Sequence, residues 1–225
     1  VANYTYPAHT SFFAGHLPVV RDESRDDLFT KEGGPLWKLG IAREKSGEAG
    51  VPLEGYSIQE GYRKKGHAMR GFGGSTFFAH RGKQLRRDYL DDEFVYFGQS
   101  TSEAPRPKEN LPLNNIERIA NSVKDLDRWF LFVNETATHV PYHIEQVDDG
   151  LIKLINYASR LRAGRLDPDK QYSFEEDGVK LHDLQVRALE YVDMQLGSLL
   201  DELPTNKPLV VVICGDHGET FGENG

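Results

Sequence analysis

The chain of 225 residues has a single cysteine, Cys214, so it contains no disulfide of its own, and one cysteine says little about the redox compartment. It has no run of about eighteen apolar residues, so we predict no membrane span, and no signal peptide is visible. Basic residues are outnumbered, 27 against 35 acidic ones, for a formal charge of −8. This balance argues against a nucleic-acid-binding surface, although a local positive site would still attract an anionic substrate.

Length and composition favour one globular domain over residues 1–225, because a chain of this size with 38% hydrophobic residues buries a sizeable core. Its second half alternates helical and strand patterns, which is typical of an α/β fold with a mostly parallel central sheet flanked by helices. The patterns predict helices over 113–126, 150–161 and 180–202, strands over 129–133 and within 66–78, and a short edge strand or turn at 94–97. Asn114 or Asn115 is the predicted N-cap of the first of these helices.

An uninterrupted apolar run over residues 209–214 leads into Asp216 and His217. Such a run predicts a buried strand of a parallel sheet, and open α/β folds bind ligands at the carboxyl ends of these strands. Asp offers a hard anionic oxygen and His a neutral nitrogen, while the flanking glycines let the chain turn, so the two residues are candidate metal ligands. Taken alone, an Asp-His-Gly tripeptide is more often a solvated turn that ends a strand.

A second candidate segment lies near the start, where Thr5 precedes Pro7 and is followed by Gly15 and Pro18. One interpretation of Thr5 is the N-cap hydroxyl of a short helix, with Pro7 in the first turn. The other is a nucleophile. The two are compatible, because a helix N-terminus offers free N–H groups and the positive end of the dipole to an anion.

Together the two segments resemble the alkaline phosphatase and sulfatase superfamily. Its metal-binding signature is a hydrophobic strand followed by Asp-His-Gly-Glu and a glycine-rich turn, which residues 209–225 match. Its nucleophile segment places Cys, Ser or Thr before x-Pro, with a later Gly-x-x-Pro, so Thr5 falls on the nucleophile position. The resemblance implies an alkaline-phosphatase-like fold and a divalent cation, Mn²⁺, Mg²⁺, Ca²⁺ or Zn²⁺, held by Asp216, His217 and Thr5.

Two histidines are further candidates. The strand predicted at 129–133 continues to Thr-His-Val-Pro-Tyr at 138–142, which is similar to the superfamily's strand that ends in His-x-Pro-Tyr/Phe. The resemblance implies that His139 lines the pocket, helps to bind substrate and protonates the leaving group, tasks that suit an imidazole with a pKa near ~6.5. His9, four residues after Thr5 and on its helix face, is a second candidate for substrate binding.

The residue types around Thr5 favour phosphate over sulfate chemistry. Sulfatases of the superfamily rely on a Cys or Ser within Cys/Ser-x-Pro-x-Arg that is converted to formylglycine, whereas Thr5-Tyr-Pro-Ala-His9 has neither that residue nor the arginine. The resemblance therefore implies a metal-dependent hydrolase or transferase of phosphate esters, similar to phosphodiesterases, lipoteichoic acid synthases and phosphoethanolamine transferases. The expected substrate is a small-molecule or a lipid- or glycan-linked phosphate or sulfate ester. A sulfatase and a non-catalytic sulfatase-like binding module are the alternatives.

Relatives also carry an acidic metal ligand on the first strand, upstream of the nucleophile, and continue beyond the last glycine-rich turn. The sequence starts four residues before Thr5, so we expect that ligand to lie outside it. Three interpretations follow: a fragment of a longer protein with the fold incomplete at both ends, a ligand set completed from elsewhere, or a degenerate relative.

Overall fold

The computed structural model describes residues 5–15, 37–38, 51–52, 57–79, 84–86, 89–90, 92–98, 108–143, 148–162, 174–204 and 208–221. Its helices are α1 (Thr5–Ala14), α2 (Ile58–Lys64), α3 (Ile116–Val123), α4 (Asp149–Arg162) and α5 (Val179–Glu202). Its strands are β1 (Trp37–Lys38), β2 (Val51–Pro52), β3 (Ala68–Gly73), β4 (Phe94–Tyr96) and β5 (Trp129–Asn134). None of the described helices is long and apolar enough to cross a membrane.

The central sheet has three strands in the order β4-β3-β5, and both strand pairs are parallel. Strand β3 pairs with β5 along its whole length, from Ala68 opposite Trp129 to Gly73 opposite Asn134. Strand β4 lies at one edge of this sheet, so residues 94–96 form the edge strand rather than the turn, the two alternatives that the sequence left open. A second parallel pair joins β1 to β2, and each is only two residues long, too short to leave a periodic signal in the sequence.

Side chains of β5 alternate between two apolar clusters, one on each face of the sheet. Trp129, Leu131 and Val133 pack with residues of α3 and α5, including Ile119 and Leu199. The intervening Phe130 and Phe132 pack with residues of α1 and the loops after β3, such as Phe13 and Phe78. Helices therefore cover both faces of a parallel sheet, which confirms the predicted α/β class.

Two glycines of β3 let an aromatic ring approach the sheet closely. A Cβ on Gly71 would overlap the ring of Phe94, and one on Gly73 would lie 2.8 Å from the Cζ atom of that ring. The Phe94 ring stacks on Phe78 with centroids 5.3 Å apart and an interplanar angle of 12°. Any larger residue at Gly71 would displace Phe94 and open this cluster.

Several predicted boundaries shift where local hydrogen bonding decides them. Helix α3 begins at Ile116 rather than near 113, because Pro112–Asn115 forms a 3₁₀ turn before it. Asn115 occupies the predicted N-cap position but makes no side-chain cap bond, and its amide donates to the Leu111 carbonyl instead. Helix α5 begins at Val179, one residue before the predicted start.

The prediction of a buried strand over residues 209–214 is wrong. The segment has no regular structure, and Val210, Val212 and Ile213 are 87%, 72% and 70% exposed. Cys214, expected to be buried within it, is exposed as well. An apolar pattern predicts burial, but a strand also needs a neighbouring backbone to complete its hydrogen bonds, and within the described ranges none pairs with this segment.

An ion pair between the partly exposed Arg63 and the largely buried Glu93 carboxylate connects α2 to the loop before β4. The two terminal nitrogens of Arg63 each donate a hydrogen bond to one oxygen of the Glu93 carboxylate, at 2.6 and 2.7 Å. Burial acts to raise the pKa of Glu93, but the hydrogen bonds from Arg63 and from the Leu90 N–H outweigh it and hold that pKa below its usual value. Arg63, the first residue of the basic run Arg63-Lys64-Lys65, therefore contributes to the structure of the fold.

We expect Glu93→Gln to destabilise the protein at neutral pH by about 1–2 kcal/mol, because Arg63 loses a charged partner and is itself partly exposed. A carboxyl whose folded pKa is lowered stabilises the fold above its unfolded pKa, and this stabilisation is lost as the pH falls through the folded pKa. The difference in melting temperature between wild type and Glu93→Gln should therefore be largest at neutral pH and should shrink as the pH falls through the lowered pKa of Glu93. Asp92→Asn, an exposed neighbour, is the matched control. A difference that does not change with pH would contradict the assignment.

Candidate active site

Helix α1 presents Thr5 at its N-terminal end, where it meets a segment from the far end of the sequence. The Thr5 hydroxyl oxygen Oγ1 lies 3.2 Å from Nε2 of His217, across a sequence separation of 212 residues. Thr5 is the first residue of the helix, so it lies at the end where backbone N–H groups have no acceptor within the helix. The geometry therefore places a hydroxyl, an imidazole and a helix N-terminus at one point.

Asp216 and His217 are oriented by bonds within their own turn. The backbone N–H of His217 donates to Oδ1 of Asp216 at 3.0 Å, and Nδ1 of His217 lies 2.8 Å from the Gly218 carbonyl oxygen. A carbonyl only accepts, so Nδ1 carries the proton and the lone pair of the neutral ring is on Nε2. That lone pair faces Thr5, and Nε2 also lies 3.6 Å from Oδ2 of Asp216.

Two of the separations among these three donor atoms are close to those between neighbouring ligands of one divalent cation. With metal–ligand bonds of about 2.1 Å, neighbouring ligand atoms on one cation lie roughly 3.0–3.5 Å apart. The separations of 3.2 Å between Thr5 and His217 and 3.6 Å between His217 and Asp216 are close to that spacing. Within the part of the chain that the structure describes, no group of three or more His, Cys, Asp or Glu side chains is arranged to hold a metal, so Thr5 is needed to make three donors.

His9 lies one turn along α1 from Thr5 and is buried, with 7% relative exposure. Its Nδ1 is 2.9 Å from the carbonyl oxygen of Thr5 and 3.8 Å from Oδ2 of Asp216. Three aromatic rings meet it at steep angles, those of Phe13, Phe78 and Phe132. The prediction that His9 contacts substrate stays a prediction, and its position favours a role behind the site.

The surroundings of His9 keep its ring neutral. Burial is the largest influence and lowers the pKa of His9. The Thr5 carbonyl and the Asp216 carboxylate act to raise the pKa, and His217 adds to the lowering, with a net fall below the usual value. At neutral pH the ring is therefore uncharged and carries a single proton.

Asn134, at the carboxyl end of β5, is a site residue that sequence reasoning missed. Its amide nitrogen lies 3.3 Å from Nε2 of His9, and its amide oxygen accepts a hydrogen bond of 3.0 Å from the Ser75 N–H. This contact joins His9, and with it the N-terminal half of α1, to the carboxyl end of β5, the sheet edge at which open α/β folds bind ligands. The only signal in the sequence was a polar residue at the end of an apolar strand.

His139 lies on the loop that follows β5. It is exposed, and its Nδ1 lies 2.5 Å from the Val140 carbonyl oxygen. The contacts described above that join Thr5, Asp216 and His217 do not involve His139. Its role as a catalytic and substrate-binding residue therefore stays a prediction.

The same loop is nevertheless held against the terminal segment. Tyr142 is fully buried and donates its hydroxyl to Oε2 of Glu219 at 2.8 Å. Phe221 packs in one cluster with Val140 and Tyr142. At the loop's start, Oε1 of Glu135 accepts the two N–H groups that follow it in sequence, which fixes the turn after β5. The loop that carries His139 and the turn that carries His217 are thus parts of one packed unit.

The family model for sulfatases matches residues 54–225, about three quarters of the chain. The chain therefore belongs to the sulfatase family, within the alkaline phosphatase and sulfatase superfamily. The match includes Asp216, His217 and Asn134, whereas Thr5 and His9 lie before it. No curated protein matches the chain significantly. No solved structure does so either.

Family membership points to a hydrolase of sulfate or phosphate esters. Members of the family generally use divalent metal ions, in keeping with the chemistry of the donor atoms at Thr5, Asp216 and His217.

Proposed function

We propose that the chain is a metal-dependent hydrolase or transferase that acts on phosphate esters through Thr5 as the nucleophile. The observation that carries this proposal is the 3.2 Å contact between Oγ1 of Thr5 and Nε2 of His217. A threonine hydroxyl is a weak nucleophile by itself and needs a partner that lowers its pKa. Here that partner would be a divalent cation held beside the Thr5 hydroxyl by Asp216 and His217.

Asp216 and His217 would hold the cation, with Thr5 as the third donor. When bound, a divalent cation lowers the pKa of the hydroxyl and offsets the charge on the substrate oxygens. Oγ1 of Thr5 then bonds to phosphorus as the bond from phosphorus to the ester oxygen breaks, and the hydroxyl proton passes to solvent. Free N–H groups at the start of α1 would hold the phosphate oxygens.

His139 is proposed to protonate the departing ester oxygen, because an imidazole exchanges protons near neutral pH. In the second step, water or an acceptor alcohol displaces Thr5 from phosphorus. The threonine hydroxyl regains a proton and the phosphate leaves. Hydrolase and transferase differ only in which of these two acceptors reaches the phosphoryl-threonine.

Phosphate is favoured over sulfate by the residues of α1. The superfamily's sulfatases generate their nucleophile from Cys or Ser, and Thr5 does not undergo that conversion. At the position of their arginine stands His9, which is buried and neutral and so offers no positive charge to a sulfate group.

A sulfatase-like binding module is the second candidate function. It is favoured by one observation: in the described ranges, Asp216 and His217 are not joined by a third acidic, histidine or cysteine ligand. Such a module would keep the fold and bind an ester without cleaving it.

A panel of chromogenic esters separates these candidates. With Mn²⁺ present, we expect the full chain to cleave bis-p-nitrophenyl phosphate faster than p-nitrophenyl sulfate. Preference for the sulfate would contradict the phosphate assignment. Binding of Mn²⁺ without cleavage of any ester would favour the binding module instead.

A further inference from the structure

We propose that Asn134 locks His9 in the tautomer that carries its proton on Nδ1, and that this N–H acts as a positioning group which keeps Thr5 and Asp216 in one geometry. The inference rests on the proposed function, since Thr5 and Asp216 are the residues to be positioned. It assigns a role to Asn134, and it makes His9 a positioning residue rather than a contact to substrate.

The orientation of the Asn134 amide is fixed by its other partner. The Ser75 N–H, 3.0 Å away, can only donate, so the atom that faces it must be the amide oxygen. The NH₂ group must then face Nε2 of His9, at 3.3 Å. Because an amide NH₂ only donates, Nε2 has to be the unprotonated nitrogen.

The other side of the ring requires the same tautomer. Nδ1 of His9 lies 2.9 Å from the Thr5 carbonyl oxygen, which only accepts, so Nδ1 must carry the proton. A ring protonated on both nitrogens would place an N–H against the Asn134 NH₂ group. One neutral tautomer therefore satisfies both neighbours.

The proton on Nδ1 lies where the nucleophile and the metal ligand meet. It is directed at the Thr5 carbonyl, and Oδ2 of Asp216 is 3.8 Å from the same nitrogen. The Asp216 carboxylate, which also approaches His217, therefore lies near the nitrogen that carries the proton. Burial among Phe13, Phe78 and Phe132 keeps water from competing for that proton. Groups behind metal ligands orient them in this way.

The first test reads the tautomer directly. In the full chain labelled with ¹⁵N-histidine, a long-range ¹H–¹⁵N spectrum distinguishes protonated from unprotonated ring nitrogens. We expect Nε2 of His9 to be unprotonated in wild type. In Asn134→Asp, the carboxylate has no N–H to donate, so Nε2 should become protonated. Asn121→Asp, the same change at an exposed position on α3, should leave the His9 signals unchanged. A protonated Nε2 in wild type, or no change in Asn134→Asp, would overturn the proposal.

The second test measures whether His9 positions Thr5 and Asp216, by comparing the Mn²⁺ affinity of His9 variants in calorimetry. In His9→Asn, the amide nitrogen takes the place of Nδ1 and can still donate to the Thr5 carbonyl. In His9→Gln, the amide lies beyond that position. We expect His9→Gln to weaken Mn²⁺ binding by about 10–100-fold and His9→Asn to stay within about threefold of wild type.

Equal affinities in His9→Asn and His9→Gln would overturn the positioning role while leaving the proposed function intact. Failure of wild type to bind Mn²⁺ would overturn the proposed function and the positioning role together. If circular dichroism shows that His9→Gln does not fold, Asn134→Asp, which retains His9, takes its place and should weaken Mn²⁺ binding over the same range.

Discussion

Thr5→Ala is expected to lower the turnover of bis-p-nitrophenyl phosphate by about 10³-fold or more, because it removes the only oxygen proposed to form the covalent intermediate. Mn²⁺ binding should persist, since Asp216 and His217 remain. Steady-state kinetics and calorimetric titration on the same preparation measure both effects. If Thr5 served only as a helix cap, the variant would lose about 1 kcal/mol of stability and show no specific chemical defect.

Two further variants make the Thr5 experiment specific. Thr5→Ser keeps a hydroxyl and should retain measurable activity. Thr220→Ala removes a threonine that is exposed, close in sequence to His217 and without a role in the proposed chemistry. It should match wild type. Equal turnover by wild type and Thr5→Ala across phosphate and sulfate esters would rule out the nucleophile and leave the binding module.

Asp216→Ala is expected to abolish Mn²⁺ binding and turnover together. It removes the one anionic ligand among the three donor atoms, and a cation held by a neutral imidazole and a hydroxyl alone would bind weakly. The fold should change little, because Asp216 lies in an exposed turn. Calorimetry with Mn²⁺ is the deciding measurement, and thermal melting checks the fold.

Asp193→Ala is the control for charge, because it removes a carboxylate from an exposed position on α5. Its Mn²⁺ affinity should equal that of wild type. If Asp216→Ala also retained wild-type affinity, the cation would have to bind elsewhere, and the three-donor site would be disproved.

The parts of the fold that the sequence predicted well are those set by neighbours along the chain. Helix α5 repeats its apolar residues at helical spacing, and β5 is an apolar run of the right length, so both were found to within a residue or two. The approach of Thr5 to His217 was predicted from the resemblance to a known superfamily. Periodicity alone contains no information on a contact across 212 residues.

The predictions that failed or were never made concern distant partners. Residues 209–214 have the composition of a strand, but composition does not supply the neighbouring strand that a sheet requires. The hydrogen bond between His9 and Asn134 joins residues 125 positions apart, and no sequence motif predicts that these two side chains are in contact. Both cases depend on which distant segments of the chain pack against each other, and a local sequence pattern does not contain that information.

The long separation in sequence between Thr5 and His217 determines how late in folding the proposed active site is assembled. Bringing together two points 212 residues apart carries an entropic cost of loop closure, which contacts within the intervening sheet and helices must offset first. During synthesis, α1 also leaves the ribosome long before its partner exists. The proposed chemistry therefore requires residues 5–217 to have assembled, and turnover, unlike helix content, reports that this long-range contact has formed.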